Sequence, residues 1–364
     1  MCAKPKVVVA MSGGVDSSLT AALLVREGYD VVGATMRLSD DSRDFNPEDD
    51  RGCCSLSAVD DARRVAEILG IPHYVMNFRD MFQTTVIDYF LDEYANGRTP
   101  NPCIACNRYV KFEGLLQRCR EIGAEYVATG HYAKIERDEE NGRYVLKKGI
   151  DVLKDQSYAL YHLNQKSLQH FMMPLGKYTK VETRRLAEEF NLPVAHKPDS
   201  QEICFVPNDD YKAYLEDKVP KALKPGDIVD VQGNRLGHHQ GVPLYTIGQR
   251  RGLGIAAKTP LYVVDLDLKK NLVIVGENKD VFSDGLIAGD LNWITLDELS
   301  SPIEVTAKIR YGNKEGKAVV SPQEDGTVKV IFAEAQRAVT PGQSVVFYDG
   351  DKVVGGGIII KPLR

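Results

Sequence analysis

The 364-residue sequence predicts an α/β domain built on a parallel sheet, followed by a small, mainly-β central domain and a C-terminal β-barrel. Three observations predict this. Lys6 to Met11 is a short, β-branched apolar run of the kind that makes a strand buried on both faces; Ser12-Gly13-Gly14 interrupts it, and Ser17 to Glu27 reads as a helix closed at Gly28. Strand-like and helical segments then alternate, as in a doubly wound sheet with right-handed crossovers. Beyond residue 206 the texture changes to short β-like runs separated by turn signals, the pattern of small barrels and sandwiches. The expected divisions are 1–206, 207–284 and 285–364.

The first strand–turn–helix is an anion site by construction. The leading N–H groups of a helix have no intrahelical partner and together carry roughly half a positive charge. Adjacent glycines let the backbone approach a phosphate closely. Ser12, Ser17 and Ser18 would add hydroxyl donors, and Asp16 is placed either to hold Mg²⁺ or to cap the helix. Val31 to Leu38 reads as a second buried strand, with Met36 near the C-terminal edge where open α/β sheets bind ligands. Ser39 to Gly52 is a polar, acidic surface loop, and Leu56 to Gly70 an amphipathic helix with Val59, Ala62, Val65, Ala66 and Leu69 on one stripe. His73 to Phe78 is a third strand, followed by helices over Asp80–Tyr94 and Lys111–Ile122. Tyr126 to His131 is a further strand that carries Gly130 and His131 to the ligand edge; Asn141-Gly142 marks a hairpin, and Thr179 to Phe190 is another helix. The C-terminal strand candidates are Ile303–Arg310, Gly316–Val320, Thr327–Phe332, Ser344–Tyr348 and Val353–Ile360.

Composition is that of a soluble globular chain, with 43% hydrophobic and 27% charged residues, and no apolar stretch reaches the ~20 residues of a membrane span. The net charge of -5 does not advertise nucleic-acid binding, so RNA contact requires a local basic surface on an acidic body. Seven cysteines, with no room for a signal peptide before the first strand, point to a reducing, cytoplasmic setting and to thiol chemistry rather than structural disulfides.

Arg98 to Phe112 (RTPNPCIACNRYVKF) carries two of those thiols. Pro100 and Pro102 predict an exposed, extended loop presenting Cys103 and Cys106 just before a basic helix, a setting that depresses a thiol pKa. Half of a zinc site is the competing reading, but no second CxxC completes it. Cys204, in PDSQEICFVPN, reads as a surface-loop cysteine, against the alternative of a buried core residue. Adjacent Cys53 and Cys54 point different ways and read as a packing or loop pair, and the sequence does not decide a role for them or for Cys119.

The SGGVDS loop lacks the Gly-Lys-[Ser/Thr] of a Walker A sequence and resembles the PP-loop of the N-type ATP pyrophosphatases (adenine nucleotide alpha hydrolase-like). Together with TPNPCIACN, TGHYA, LKDQSY, DSQEICF, TIGQRRGLG and KIRYG, in this order, it resembles the tRNA-specific 2-thiouridylases (the MnmA/TrmU family) over nearly the whole chain. The resemblance implies ATP, with Mg²⁺, at Ala10, Met11, Ser12, Gly13, Gly14, Val15, Asp16, Ser17, Met36 and Gly130. It implies Cys106 as nucleophile and Cys204 as the carrier of a persulfide. Asn101, Pro102 and Cys103 would contact the target base, and His131, Lys154, Asp155, Gln156, Arg310, Tyr311 and Gln343 the rest of the tRNA. The implied reaction is 2-thiolation of the wobble uridine in the anticodon stem-loop, by adenylation of its C2 oxygen and delivery of sulfur. A cysteine desulfurase or sulfur-relay protein would supply the sulfur, and a cellular reductant would reopen a Cys106–Cys204 disulfide. One departure stands out: many relatives have Asp where this chain has Cys103, which puts the acid–base role of that position in doubt. A second mechanism has Cys103, Cys106 and Cys204 holding an Fe–S cluster with one open iron. Outside this family, another SGGxDS-type ligase or an RNA-binding protein with a vestigial nucleotide site are the competing functions.

Overall fold

The computed structural model describes residues 5–38, 56–199 and 203–364. The predicted acidic loop, Cys53 and Cys54 lie outside the described residues. The chain divides into two units. The first comprises Met1–Val86, Cys103–Asp209 and Asp351–Val353; the second comprises Ile87–Pro102, Asp210–Gly350 and Val354–Arg364.

In the first unit, β1 (Lys6–Ala10) leads into α1 (Val15–Arg26), then β2 (Asp30–Arg37), α2 (Leu56–Leu69) and β3 (His73–Asn77). The helical run α3 (Arg79–Phe82) widens to π-type turns over Gln83–Ile87 and continues as α4 (Asp88–Ala95), whose residues belong to the second unit. A second run starts as α5 (Pro102–Ala105), winds as a π-helix over Cys106–Gly114 and ends as α6 (Leu115–Glu121). After it come β4 (Tyr126–Ala128), the hairpin β5 (Ala133–Arg137) and β6 (Tyr144–Lys148), α7 (Gln165–Leu168), β7 (Phe171–Met172) and α8 (Lys180–Glu189). The sheet runs β3-β2-β1-β4-β7, parallel throughout. Val7, Val8 and Val9 on the central strand have no exposed surface, as a strand covered on both faces requires. The strand order reverses between β1 and β4, and the loops leaving these two strands flank the crevice where such sheets bind ligands.

In the second unit, α9 (Tyr211–Lys218) precedes a four-stranded sheet of β8 (Gly226–Asp230), β9 (Arg235–His239), β10 (Tyr262–Asp267) and β11 (Leu272–Gly276), ordered β10-β11-β8-β9. Six strands then close a barrel: β12 (Phe282–Trp293), β13 (Ile303–Lys308), β14 (Gly316–Pro322), β15 (Val328–Arg337), β16 (Ser344–Asp349) and β17 (Lys352–Leu363). Their order is β12-β15-β14-β13-β16-β17, and β12 pairs back to β17. Leu286, Val320, Val330, Phe347 and Ile359, all without exposed surface, fill it. Among the described residues no helix is long and apolar enough to cross a membrane.

One expectation changes, and one strand is not among those expected. The segment after Pro102 is helical rather than extended. Proline is tolerated at the first helical position, where its missing N–H has no intrahelical partner to lose, so Cys103 and Cys106 sit inside the helix and not on a loop before it. The long β12 does not stand out in the sequence, because Gly285 and Gly289 interrupt its apolar pattern; a Cβ at Gly285 would lie 2.4 Å from the Val330 carbonyl oxygen, so the close pairing itself demands glycine.

Candidate active site

The turn between β1 and α1 is held by its own hydroxyls. The Ser17 Oγ accepts from the Ser12 N–H at 3.1 Å and lies 3.2 Å from the Gly14 carbonyl. Gly13 is left-handed (φ +68), and a Cβ there would meet the Ala58 carbonyl oxygen at 2.2 Å. Gly14 is the N-cap of α1 and supplies no side-chain cap, which leaves the first N–H groups of a 12-residue helix for an anion. Ser18 does not join them: it is fully buried within the helix's packed face.

Asp16 does not cap α1; it sits in an ion-pair network beside it. Its carboxylate receives Lys180 Nζ at 2.7 and 2.8 Å and the Tyr132 hydroxyl at 2.8 Å. Lys180 Nζ also lies 2.8 Å from Asp199, which Lys154 (2.7 Å) and Arg184 (3.0 Å) contact in turn. Three cations thus face two carboxylates beside the glycine turn. Burial opposes the charge on Asp199, but the Lys154 and Lys180 hydrogen bonds outweigh it and hold the carboxyl below its ordinary range. Burial, and then the Asp16 charge, push the Tyr132 phenol up, so it stays a donor. Lys197 closes the other side of the turn, reaching the Gly13 carbonyl at 3.2 Å and Asp61 at 2.7 Å. Sequence reasoning missed Lys180, Tyr132, Arg184 and Lys197. The capping box Thr179…Glu182 marks the start of α8, but nothing in it shows that Lys180 folds back onto the glycine turn.

Gly130, at the end of β4, abuts α1: a Cβ there would lie 2.8 Å from both the Asp16 carbonyl carbon and the Ser17 nitrogen. Ala10 and Met36 close the C-terminal ends of β1 and β2 on the same edge. His131 lies 2.8 Å from Thr129 Oγ1 and packs on Phe112; burial, with Lys111 nearby, pushes its pKa down to about 3, so it is a neutral hydrogen-bonding group rather than a cationic phosphate contact. Gln156 pairs with Tyr132 through both its side chain (2.9 Å) and its backbone N–H (3.0 Å). Asp155 accepts from Gly149 N and from Ser157, which builds the intervening loop.

Cys106 is buried and Cys103 exposed on the helix that begins at Pro102, and Cys204 is exposed. Asn107 fastens that helix to the Ala159 carbonyl at 3.0 Å. The next residue after Cys204, Phe205, stacks edge-on against Phe82 at 5.8 Å, and α3, which carries Phe82, packs against the Cys106–Gly114 turns. Both cysteine-bearing segments therefore rest on one short helix. Cys119 has no exposed surface, and burial pushes its thiol up to about 12. Brief alkylation at pH 8 followed by peptide mass spectrometry should label Cys103 and Cys204 and spare Cys119 until the chain is unfolded. Among the described residues no three Cys, His, Asp or Glu side chains converge as metal ligands, so the cluster mechanism finds no support.

In the second unit, Arg98 forms a two-point ion pair with buried Glu93, and Thr99 N donates to the Pro341 carbonyl at 2.9 Å. Gln343 donates its side-chain N–H to the Thr99 (2.9 Å) and Pro100 (3.3 Å) carbonyls, so it clamps the segment that leads into Asn101 and Pro102. Gln343→Glu should destabilise more than Gln343→Ala, by about 1–2 kcal/mol, because a carboxylate would face two carbonyl oxygens; thermal melting of both variants checks this. Arg310 Nη2 donates to the Ile247 and Ala338 carbonyls at 3.1 Å each and to Thr340, while Tyr311, exposed, lies under Lys308 at 5.5 Å.

Three family models match in succession: a tRNA methyl transferase HUP domain over residues 5–208, a tRNA methyl transferase PRC-barrel domain over 212–277 and an aminomethyltransferase beta-barrel domain over 283–359. The chain is 55% identical to tRNA-specific 2-thiouridylase MnmA 1 of Caldanaerobacter subterraneus subsp. tengcongensis, covering 99% of both chains. It is 56% identical to tRNA-specific 2-thiouridylase MnmA of Acetivibrio thermocellus, covering 98% of this chain and 99% of that one. A solved 4-thiouridine synthetase–RNA complex with bound ATP aligns with 17% identity and a TM-score of 0.37, over 60% of this chain and 51% of that one. The protein belongs to the family of the tRNA-specific 2-thiouridylases.

Proposed function

We propose that the protein is an ATP-dependent tRNA sulfurtransferase that converts the C2 carbonyl of the wobble uridine to a thiocarbonyl, releasing AMP and pyrophosphate. The observation that carries this reading is one unit holding an uncapped glycine turn at a helix start together with a buried and an exposed cysteine. ATP supplies an adenylyl group that turns the uracil C2 oxygen into a leaving group. The turn suits the pyrophosphate end: α1 offers unpaired N–H groups, and Lys180 and Lys197 stand beside it. The Ala10, Met36 and Gly130 edge suits the adenosine. Asp16 is held by Lys180 and Tyr132 and would be the carboxylate nearest a Mg²⁺ that accompanies the ATP phosphates.

Exposed Cys204 is accessible to a donor persulfide, which transfers its outer sulfur and leaves as a thiol. The terminal sulfur of the Cys204 persulfide then attacks C2, and AMP departs with the former C2 oxygen. The Cys106 thiolate next attacks the Cys204 sulfur. The S–S bond to the base breaks with its electron pair on the base sulfur, which leaves 2-thiouridine and a Cys106–Cys204 disulfide. In the alternative order Cys106 attacks the persulfide first and frees hydrosulfide, which attacks C2. Either way a dithiol reductant must return both thiols. The base has to leave its stack to reach the crevice, and we assign the remaining tRNA contacts to 207–284 and 285–364. Quantifying pyrophosphate with and without unmodified tRNA tests the activation half: release that depends on tRNA supports it, and release indifferent to tRNA removes it.

A further inference from the structure

The second unit contains a depression of about 500 Å³, open to solvent, most of whose lining residues have no role so far. Its wall is the turn Thr246–Gly252, bent through left-handed Gly248 (φ +87) and Gly252 (φ +72). Gln249 fixes that turn from within: its Oε1 accepts Thr246 N at 3.1 Å, and its amide donates to the Arg251 carbonyl at 2.9 Å. Arg251 is left exposed at the rim. Lys212 comes from the first turn of α9, its Nζ 5.4 Å from the Tyr245 ring centre and 3.5 Å from where a side chain at Gly252 would begin. Arg310 forms the third cationic wall, and Tyr211 the aromatic one. Among the described residues no Asp or Glu lines the depression, and the nearby Asp210 turns its carboxylate to the N–H groups of Lys212 and Ala213 at 3.1 Å as the helix cap.

Three cations around one open depression, on a chain of net charge -5, are a site for an anion of high charge density. An enclosed cavity would suit a free metabolite, whereas a shallow, open one lets a polymer lie across it. We infer that this depression seats a phosphate of the tRNA backbone, with Lys212 and Arg251 as its principal contacts. The inference rests on the reading of tRNA as substrate and adds a binding point to it.

The test measures tRNA affinity of the full chain by fluorescence anisotropy across a salt series, for the wild type and the double variant Lys212→Ala/Arg251→Ala. Arg251→Lys serves as the charge-conserving control, and melting curves establish that each variant folds. Each lost phosphate contact lowers the slope of log affinity against log salt by about 0.9. The double variant should therefore bind about tenfold or more weakly at low salt with a slope reduced by about one to two, while Arg251→Lys keeps the wild-type slope. A folded double variant with unchanged slope overturns the inference while leaving the tRNA reading intact. Wild-type protein that neither binds nor thiolates tRNA overturns the reading itself.

Discussion

Replacing Cys204 by Ser is expected to lower tRNA thiolation by at least about 10³-fold while tRNA-dependent pyrophosphate release persists, because the hydroxyl cannot carry a persulfide but the glycine turn is untouched. The two cysteines differ in exposure, and that difference predicts distinct variants. In the proposed mechanism Cys204, which is exposed, would receive the sulfur, and Cys106, buried on the helix begun by Pro102, would resolve it. Cys106→Ser should be equally inactive, yet in the order where the Cys204 persulfide attacks C2 directly it should trap the base on Cys204 through a disulfide. Non-reducing gels would show this as an enzyme–tRNA adduct that dithiothreitol releases. Absence of the adduct selects the hydrosulfide order, and full activity of either serine variant rejects the paired-thiol mechanism.

The second large effect is expected at Lys180. Its side chain is 11% exposed and bridges Asp16 and Asp199, so Lys180→Met leaves two carboxylates facing each other without their shared cation. Removing one partner of a fully buried pair costs about 3–5 kcal/mol; the partial exposure of both aspartates lowers the expectation here to about 2–3 kcal/mol, or roughly 4–10 °C in Tm. ATP affinity should fall as well, since Lys180 stands beside the glycine turn proposed to hold the phosphates. The pH dependence has a definite sign. A carboxyl held below its ordinary range contributes stability that is present above its unfolded pKa and is lost as pH falls through the folded value. Without Lys180 the Asp199 carboxyl moves back up, so the acid loss of stability begins at higher pH. Acid denaturation of both proteins tests this, and coincident curves would show that the bridge contributes nothing to folding.

Much of the catalytic unit was legible because its signals are local. A β-branched run before two glycines can hardly be anything but a buried strand entering a helix start, and the alternation after it fixes a parallel sheet. The glycines at 13 and 130 are required by close backbone approaches that only the fold displays, although their place at strand ends already marked the ligand edge. What was not legible depends on distant pairing. Nothing local in the sequence marks Lys180 or Asp199, yet Lys180 bridges Asp199 and Asp16, the latter 164 residues away in the chain. Gln343 is an RNA contact only by family resemblance, and nothing in the sequence shows that its amide also holds the carbonyls of Thr99 and Pro100. The prolines misled in the opposite direction: Pro102 starts a helix, so Cys106 is buried by the helix's packing rather than presented by a loop.

The most direct test of the whole account follows one oxygen atom. In a single-turnover thiolation run in ¹⁸O-water, AMP should contain no heavy oxygen, because the oxygen that leaves with it comes from uracil C2, and 2-thiouridine should form in equal amount. AMP that carries ¹⁸O from water, with 2-thiouridine formed independently of it, would contradict activation of the base by adenylation.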